Sequence, residues 1–195
     1  MSVELKATEY VTPPVRLSFP ALFEAKPVMK DKPDDLKFMA TLLIPDSVNL
    51  APIYECVKAA MIGKWGKVIK LPARNNPIKD CGEKDLAGYE DGWHYVNAKS
   101  KYKPNVVDQN TEDVIDPDRI YPGCWCRFHL IAFAWDHPQG GKGVSFSLSA
   151  VQLVKDDERL DGRKAATDVF DPLEGADGGA TPDETGDNDA EALFG

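Results

Sequence analysis

The 195-residue chain carries 23 Lys and Arg against 32 Asp and Glu, a formal net charge of −9, with 43% hydrophobic and 9% aromatic residues. That length accommodates one domain with a sizeable core but not two full ones, and the composition is that of an ordinary globular protein. It excludes a helical membrane span, since no apolar stretch approaches the roughly 20 residues a bilayer requires, and Cys56, Cys81, Cys124 and Cys126 follow no disulfide-framework spacing.

The distribution of charge matters more than its total. Residues 171–195 hold eight acids (Asp171, Glu174, Asp177, Asp183, Glu184, Asp187, Asp189 and Glu191) and no Lys or Arg. The first 170 residues are therefore close to neutral, with 24 acids against 23 bases. Within them, residues 58–103 carry ten bases and five acids. A mildly basic segment in a neutral body, with an acidic tail attached, bears on partners rather than on fold.

Residues 1–13 show little periodicity and end on Pro13-Pro14, which predicts a loose N-terminal arm. No basic region followed by an apolar stretch opens the chain, so no signal peptide and a cytoplasmic location are expected. Val15, Leu17, Phe19, Ala21 and Phe23 alternate with Arg16, Ser18 and Pro20, as in a strand, with Pro20 marking an edge or a bulge. Pro27 to Pro33 reads as a charged turn, and Leu36, Phe38, Ala40, Leu42 and Ile44 as the inner face of a second strand. Asp46 or Ser47 is suited to cap a helix running to about Lys64. Its apolar face is Leu50, Ile53, Val57, Ala60 and Met61; Pro52 is tolerated in the first turns, and Gly63 and Gly66 end it.

Residues 66–92 are punctuated by Pro72, Asn75-Asn76-Pro77, Gly82, Gly88 and Gly92, which predicts a long, lysine-rich loop excursion. Trp93 to Tyr102 reads as a strand, and Val114-Ile115 as pairing back on Val106-Val107. Gly123 to Val154 is the organising stretch, two long strands joined by Asp136-His137-Pro138-Gln139-Gly140-Gly141-Lys142-Gly143. The first has Cys124, Cys126, Phe128, Leu130, Ala132 and Ala134 on one face and Trp125, Arg127, His129, Ile131, Phe133 and Trp135 on the other. The second places Val144, Phe146, Leu148 and Ala150 opposite Ser145, Ser147 and Ser149. Lys155 to Lys164 reads as a charged turn with up to two turns of helix. From Asp171 onward too few apolar groups remain to offset the entropy of ordering, which predicts disorder ending in Leu193-Phe194.

Aromatic and basic residues interleave in Lys64-Trp65, Lys67, Lys70, Arg74, Trp93, Tyr95, Lys99, Lys101, Tyr102, Lys103, Trp125 and Arg127. Cations meet phosphates without reading sequence, and each base stacked on a ring contributes about 1–3 kcal/mol. These thirteen residues are the candidate nucleic-acid contacts. Cys124-x-Cys126 faces one side of a strand with no second pair at zinc-finger spacing, so buried thiols and no metal are expected. Asp116-Pro117-Asp118 lies in a turn without a partner carboxylate, and no nucleophile elbow or phosphate-cradling glycine loop is present. The expectation is a non-enzyme without a cofactor. Asp183, Glu184, Asp187, Asp189, Glu191, Leu193 and Phe194 form either a detachable competitor for a cationic groove or a handle for partner proteins.

The runs YPGCWCRFHLIAFAW and GKGVSFSLSAVQLVKDDERLDGRKAATDVF, with NPIKDCGEKD and GYEDGWHYVNAKSKYKPNVVD before them, resemble a phage-encoded family of single-stranded DNA-binding proteins. The resemblance covers roughly residues 70–170. It implies an OB-fold, an acidic C-terminal tail, and single-stranded DNA binding in phage replication, recombination or repair inside an infected bacterial cell. Bacterial tails of this kind finish on a phenylalanine, whereas Phe194 is followed by Gly195.

The sequence therefore predicts a mainly β protein: a loose arm over 1–13, a five-stranded OB barrel with one α-helix over 14–165, and a disordered acidic tail over 166–195. The expected partners are single-stranded DNA and, through the tail, replication or recombination proteins, with no membrane; homo-oligomerisation stays open. Two rival readings are a non-catalytic adaptor or chaperone working through the Leu-Phe tail, and a metal-dependent nuclease. The choice between DNA and RNA is not legible, because rings and cations serve both.

Overall fold

The period-two runs become the long strands of the computed structural model, which describes residues 4–164 and 169–170. In chain order the elements are β1 (Glu9–Val11), β2 (Val15–Met29), β3 (Lys32–Ile44), α1 (Ala51–Trp65), β4 (Ile78–Asp80), β5 (His94–Ser100), β6 (Asn105–Val107), β7 (Trp125–His137) and β8 (Gly141–Lys155). Among the described residues, β2, β3, β5, β7 and β8 close a barrel in the order β7–β2–β3–β5–β8, and β8 returns to β7. The closing β5–β8 contact is parallel, at Ala98 and Phe146. Five strands with one helix after the second of them form the mainly β, OB-type barrel expected from the sequence.

Alternation explains the core. Cys126, Phe128, Leu130 and Ala132 of β7 point inward with Val144, Phe146 and Leu148 of β8. Phe128 and Phe146 are fully buried, each contributing roughly 1.5–3 kcal/mol by removal from water. The expected inward set of β8 then breaks. One extra residue, Ser149, separates the His129–Ala150 and Leu130–Leu148 pairs, so the pleat changes face. Val151 and Leu153 point inward beyond it, and Ala150 is only half-buried.

Helix α1 buries Ile53, Cys56, Val57, Ala60 and Met61 against the barrel. It begins at Ala51, later than Asp46 or Ser47 would set it, because Asn49 Oδ1 accepts the Ala51 amide at 2.9 Å. It runs through Gly63 and stops at Gly66, whose φ of 70° lets its amide reach the Ile62 carbonyl at 2.8 Å.

Other expectations are corrected. Residues 9–11 of the arm expected to be loose form β1, pairing antiparallel with β7, since Tyr10 packs on the core and the β7 edge is free there. Pro27 and Pro33 do not bound a turn but lie within β2 and β3, where register irregularities absorb the missing amides and Met29 pairs with Lys32. The Pro20 bulge is present between Ser18 and Ala21, with Phe19 at φ 45°. The excursion over 66–92 contains β4, which pairs with β5. Val114 does return its amide to Val106 at 2.9 Å, but Ile115 is exposed, and β6 pairs instead with β8. Residues 156–164 form no helix, because the segment is strapped to Tyr121–Gly123. Gly123, at φ 117°, makes that approach feasible: a Cβ there would lie 2.1 Å from the Glu158 carbonyl. The disorder expected from Asp171 onward falls outside the described residues.

Candidate nucleic-acid interface

The β7–β8 hairpin builds the site's first wall. Trp135 faces Gly143 across the ladder and Phe133 faces Ser145, all on the outward face of the pleat. Gly143 leaves room for the indole to lie over the backbone, and Trp135 Nε1 donates to Ser145 Oγ at 2.9 Å, which fixes the ring. Phe133 is 46% exposed although it is aromatic and lies in a barrel strand.

The second wall is the segment from Arg74 to Lys79. Asn75 Nδ2 donates to both the Gly140 and the Lys142 carbonyl at 2.9 Å, tying this segment to the hairpin tip. The floor comes from the ends of β3 and β5, where Lys37, Asn97 and Lys99 point outward, followed by Lys101 and Tyr102. Together they bound a groove of about 510 Å³. Its cations are Lys37, Arg74, Lys79, Lys99 and Lys101, its accessible rings are Tyr102, Phe133 and Trp135 with the buried Phe146 beneath them, and no carboxylate is among its lining residues.

Asp35 pairs with Lys37 at 3.3 Å. Burial lowers the Lys99 pKa, with the Lys37 charge adding to the effect and Asp35 opposing it. A partly desolvated ammonium beside a second one favours an arriving anion. Tyr102 is 84% exposed, so its ring is free to stack.

The structure divides the residues singled out in the sequence. Arg74, Lys99, Lys101 and Tyr102 come together in the groove. Lys103 lies beside Phe23, its ammonium 5.7 Å from the ring centre. Lys64, Lys67 and Lys70 are exposed at and beyond the end of α1. Trp65 is a clasp: its indole donates to Asp136 Oδ2 at 2.9 Å and Lys142 lies 5.2 Å from its ring centre.

Tyr95 is only 6% exposed, in a small outer cluster with Leu43 and Cys81, because the chain from Cys81 to Trp93 folds over it. Trp93 and Trp125 pack edge to face at 6.3 Å beside this cluster. Arg127 is exposed, and its Nε donates to the Thr12 carbonyl at 3.2 Å. Eight residues of β7, about 27 Å of strand, separate Trp125 from Phe133, so these aromatics do not join the groove. Lys37, Lys79, Phe133 and Trp135 escaped the sequence reading as contacts. The signal for the last two was their place on the decorated face of β7.

Cys124 and Cys126 are buried with Sγ atoms 3.6 Å apart. Their contact and burial push the Cys126 thiol well up, and burial pushes Cys81 to about 11. His129 lies on the opposite face from the paired thiols, its Nε2 3.7 Å from Glu9 Oε2. Among the described residues no group of three or more His, Cys, Asp or Glu is arranged to hold a metal, and no helix is long and apolar enough to cross a membrane.

Comparison with known proteins gives consistent matches. The family model described as Enterobacter phage Enc34, ssDNA-binding protein, matches residues 8–182. A putative protein p50 of Acyrthosiphon pisum secondary endosymbiont phage 1 is 36% identical over 171 residues, covering 82% of this chain and 90% of that protein. Among solved structures, the single-stranded DNA-binding protein from bacteriophage Enc34 is similar at 26% identity and a TM-score of 0.66, over 85% of this chain and 92% of that one. That protein in complex with ssDNA is similar at 23% identity and a TM-score of 0.67, over 80% and 90%. The single-stranded DNA-binding protein gp2.5 of bacteriophage T7 shares the fold at 14% identity and a TM-score of 0.56, over 80% and 97%. The family model runs from β1 through the whole barrel, and on that match the chain belongs to the family of the Enterobacter phage Enc34 single-stranded DNA-binding protein.

Proposed function

We propose that this chain binds single-stranded DNA in the groove between the β7–β8 hairpin, the Arg74–Lys79 segment and the outer ends of β3 and β5. The observation that carries the reading is the groove's make-up: five cations, three accessible rings and no carboxylate lining it. Lys37, Arg74, Lys79, Lys99 and Lys101 take the phosphates, and Tyr102, Phe133 and Trp135 take base faces. Phosphate contacts and stacking carry no base-edge readout, so binding is independent of sequence. Rings that stack need unpaired bases, so single strands are favoured over duplex. The family relationship supports the same ligand.

The working unit in this reading is the barrel of residues 14–165 together with β1, and residues 166–195 act as a tail. The tail's eight acids compete for the groove's five cations, and the Leu193-Phe194 end offers an apolar handle to replication, recombination or repair proteins in the infected cell. Removing residues 171–195 tightens DNA binding at low salt; equal affinities with and without the tail contradict the competition.

The test of binding is one titration series with oligo-dT, oligo-rU and duplex at two salt concentrations. Oligo-dT binding tighter than duplex is expected, falling by about 0.7 log unit per log salt for each phosphate neutralised. Equal, weak binding of every polymer contradicts the proposal.

A further inference from the structure

The outward face that floors the groove continues beyond it. On β3 and β5 it runs from Lys37 and Lys99 through Thr41 and Asn97, whose side chains hydrogen-bond at 2.7 Å, to Leu43 and Tyr95. Lys99 and Tyr95 are about 13 Å apart along the strand. Beyond Tyr95 lie Trp93 and Trp125. Arg16 pairs with Trp125 across the β2–β7 ladder, and Lys155 lies 5.0 Å from the Trp125 ring centre. Two half-buried rings and two cations repeat the chemistry of the groove.

This far patch is covered by the chain itself. Residues 156–161, directly after β8, cross it as a strap. Asp157 accepts the Trp125 indole N–H, Asp156 Oδ1 accepts the Tyr121 hydroxyl at 3.0 Å, and the Glu158 carbonyl accepts from Arg16 Nη2 at 2.9 Å. The Arg159 guanidinium lies 4.4 Å from the centre of the Tyr121 ring. Anionic or carbonyl oxygens therefore sit on the donors, as phosphate oxygens would, and a planar group sits on a ring, as a base would.

The strap is lightly held. Among the described residues its one backbone-to-backbone hydrogen bond is from Leu160 to the Pro122 carbonyl, at 2.9 Å, and its other backbone bonds go to side chains: the Asp157 carbonyl accepts from the Tyr121 hydroxyl at 3.1 Å, and the Asp157 amide donates to that oxygen at 3.3 Å. Asp156, Asp157 and Glu158 are exposed. Leu160 anchors its far end, packing on the cluster of Tyr95 and Trp93 and against Gly88. Apart from Leu160, these contacts are polar and lie at the exposed surface, so the strap opens locally at less cost than a strand of the barrel.

We propose that Trp93, Trp125, Arg16 and Lys155 form a second contact for single-stranded polynucleotide, separated from the groove by the segment that covers Leu43 and Tyr95, and that the acidic strap occupies it until a long strand displaces it. The inference rests on the groove being the primary DNA site. Short strands fill the groove and leave the strap in place, whereas long strands reach the patch and must lift it.

The experiment compares the full chain with a double variant, Asp156→Ala and Asp157→Ala, on oligo-dT of about 4 and about 16 nucleotides, the two ends of the range an OB fold occupies. Both positions are exposed, so the variant keeps the barrel. The long strand binds the variant at least about fivefold tighter, the weak end of one stacked base, while the short strand binds both proteins alike. Adding Lys155→Ala to the double variant cancels the gain. Equal tightening of both lengths, which a general charge effect would give, overturns the proposal, as does no tightening of the long strand. If neither length binds the unaltered protein, the groove reading falls first and this inference with it.

Discussion

Trp135 stands directly across the β7–β8 ladder from Gly143, and its ring occupies the space a side chain there would need: a Cβ on Gly143 would lie 2.2 Å from Trp135 Cζ2. The glycine is not there for its backbone, since its φ lies outside the left-handed region. It is there for the ring. Gly143→Ala displaces the indole from the groove wall and weakens oligo-dT binding by about tenfold, within the 1–3 kcal/mol of one stacked base. The change in stability stays near 1 kcal/mol, since the ring can swing toward solvent. Fluorescence titration and a thermal melt on the same samples separate the two effects.

In the proposed reading the groove's cations act through phosphates and its exposed tyrosine through stacking, which different measurements resolve. Lys79→Ala and Lys99→Ala each lower the slope of log affinity against log salt by about 0.7, and the double variant lowers it by about twice that. Tyr102→Ala leaves the slope unchanged but costs about 1–3 kcal/mol of binding. With Tyr102 84% exposed, the melting temperature does not move.

Tyr95 behaves in the opposite way. It is buried with Leu43 and Cys81 beneath Tyr89, Trp93 and Leu160. Tyr95→Ala removes a buried ring and lowers stability by roughly 3 kcal/mol. At a temperature where the variant is still folded, its affinity for short oligo-dT is that of the unaltered protein. A denaturant melt combined with a titration tests both halves.

The strap has its own pH signature. The hydrogen bond from the Trp125 indole holds the Asp157 carboxyl below the usual carboxylate range, with the Glu158 amide and the Arg16 and Lys155 charges acting the same way. A pKa lower in the folded state than in the unfolded one stabilises the folded state above the unfolded value, about 4. That stability is lost as pH falls through the lower, folded value. The strap therefore loosens below about pH 4 and is unaffected between pH 6 and pH 8. Amide exchange at Leu160 and the Trp125 emission maximum both follow it.

Most of the barrel was legible because its strands alternate cleanly: Cys126, Phe128 and Leu130 face in, and Trp125, Arg127 and His129 face out, in the sequence as in the structure. What escaped was everything set by pairing rather than by periodicity. The Ser149 bulge turns Ala150 outward and Val151 inward, which no run of apolar residues announces. β1 exists because β7 has an edge to offer, although Glu9-Tyr10-Val11 alone carries no strand pattern.

The site followed the same division. Of the rings and cations singled out in the sequence, Arg74, Lys99, Lys101 and Tyr102 lie together in the groove. Sequence neighbours cannot reveal that Asn75 ties the Arg74 segment to the hairpin tip, nor that Trp93 and Trp125 sit under the strap. Phe133 and Trp135 were visible as outward aromatics, but only the fold shows that they, rather than Trp125, line the groove with Arg74, Lys79 and Lys99.

Tryptophan emission during titration with short oligo-dT tests the central claim most directly, because Trp135 alone of Trp65, Trp93, Trp125 and Trp135 lines the groove. Short oligo-dT quenches the unaltered protein; Trp135→Phe removes most of that quenching, and Trp125→Phe leaves it intact. Quenching that survives Trp135→Phe and disappears with Trp125→Phe would place the primary DNA site elsewhere on the barrel and contradict the account.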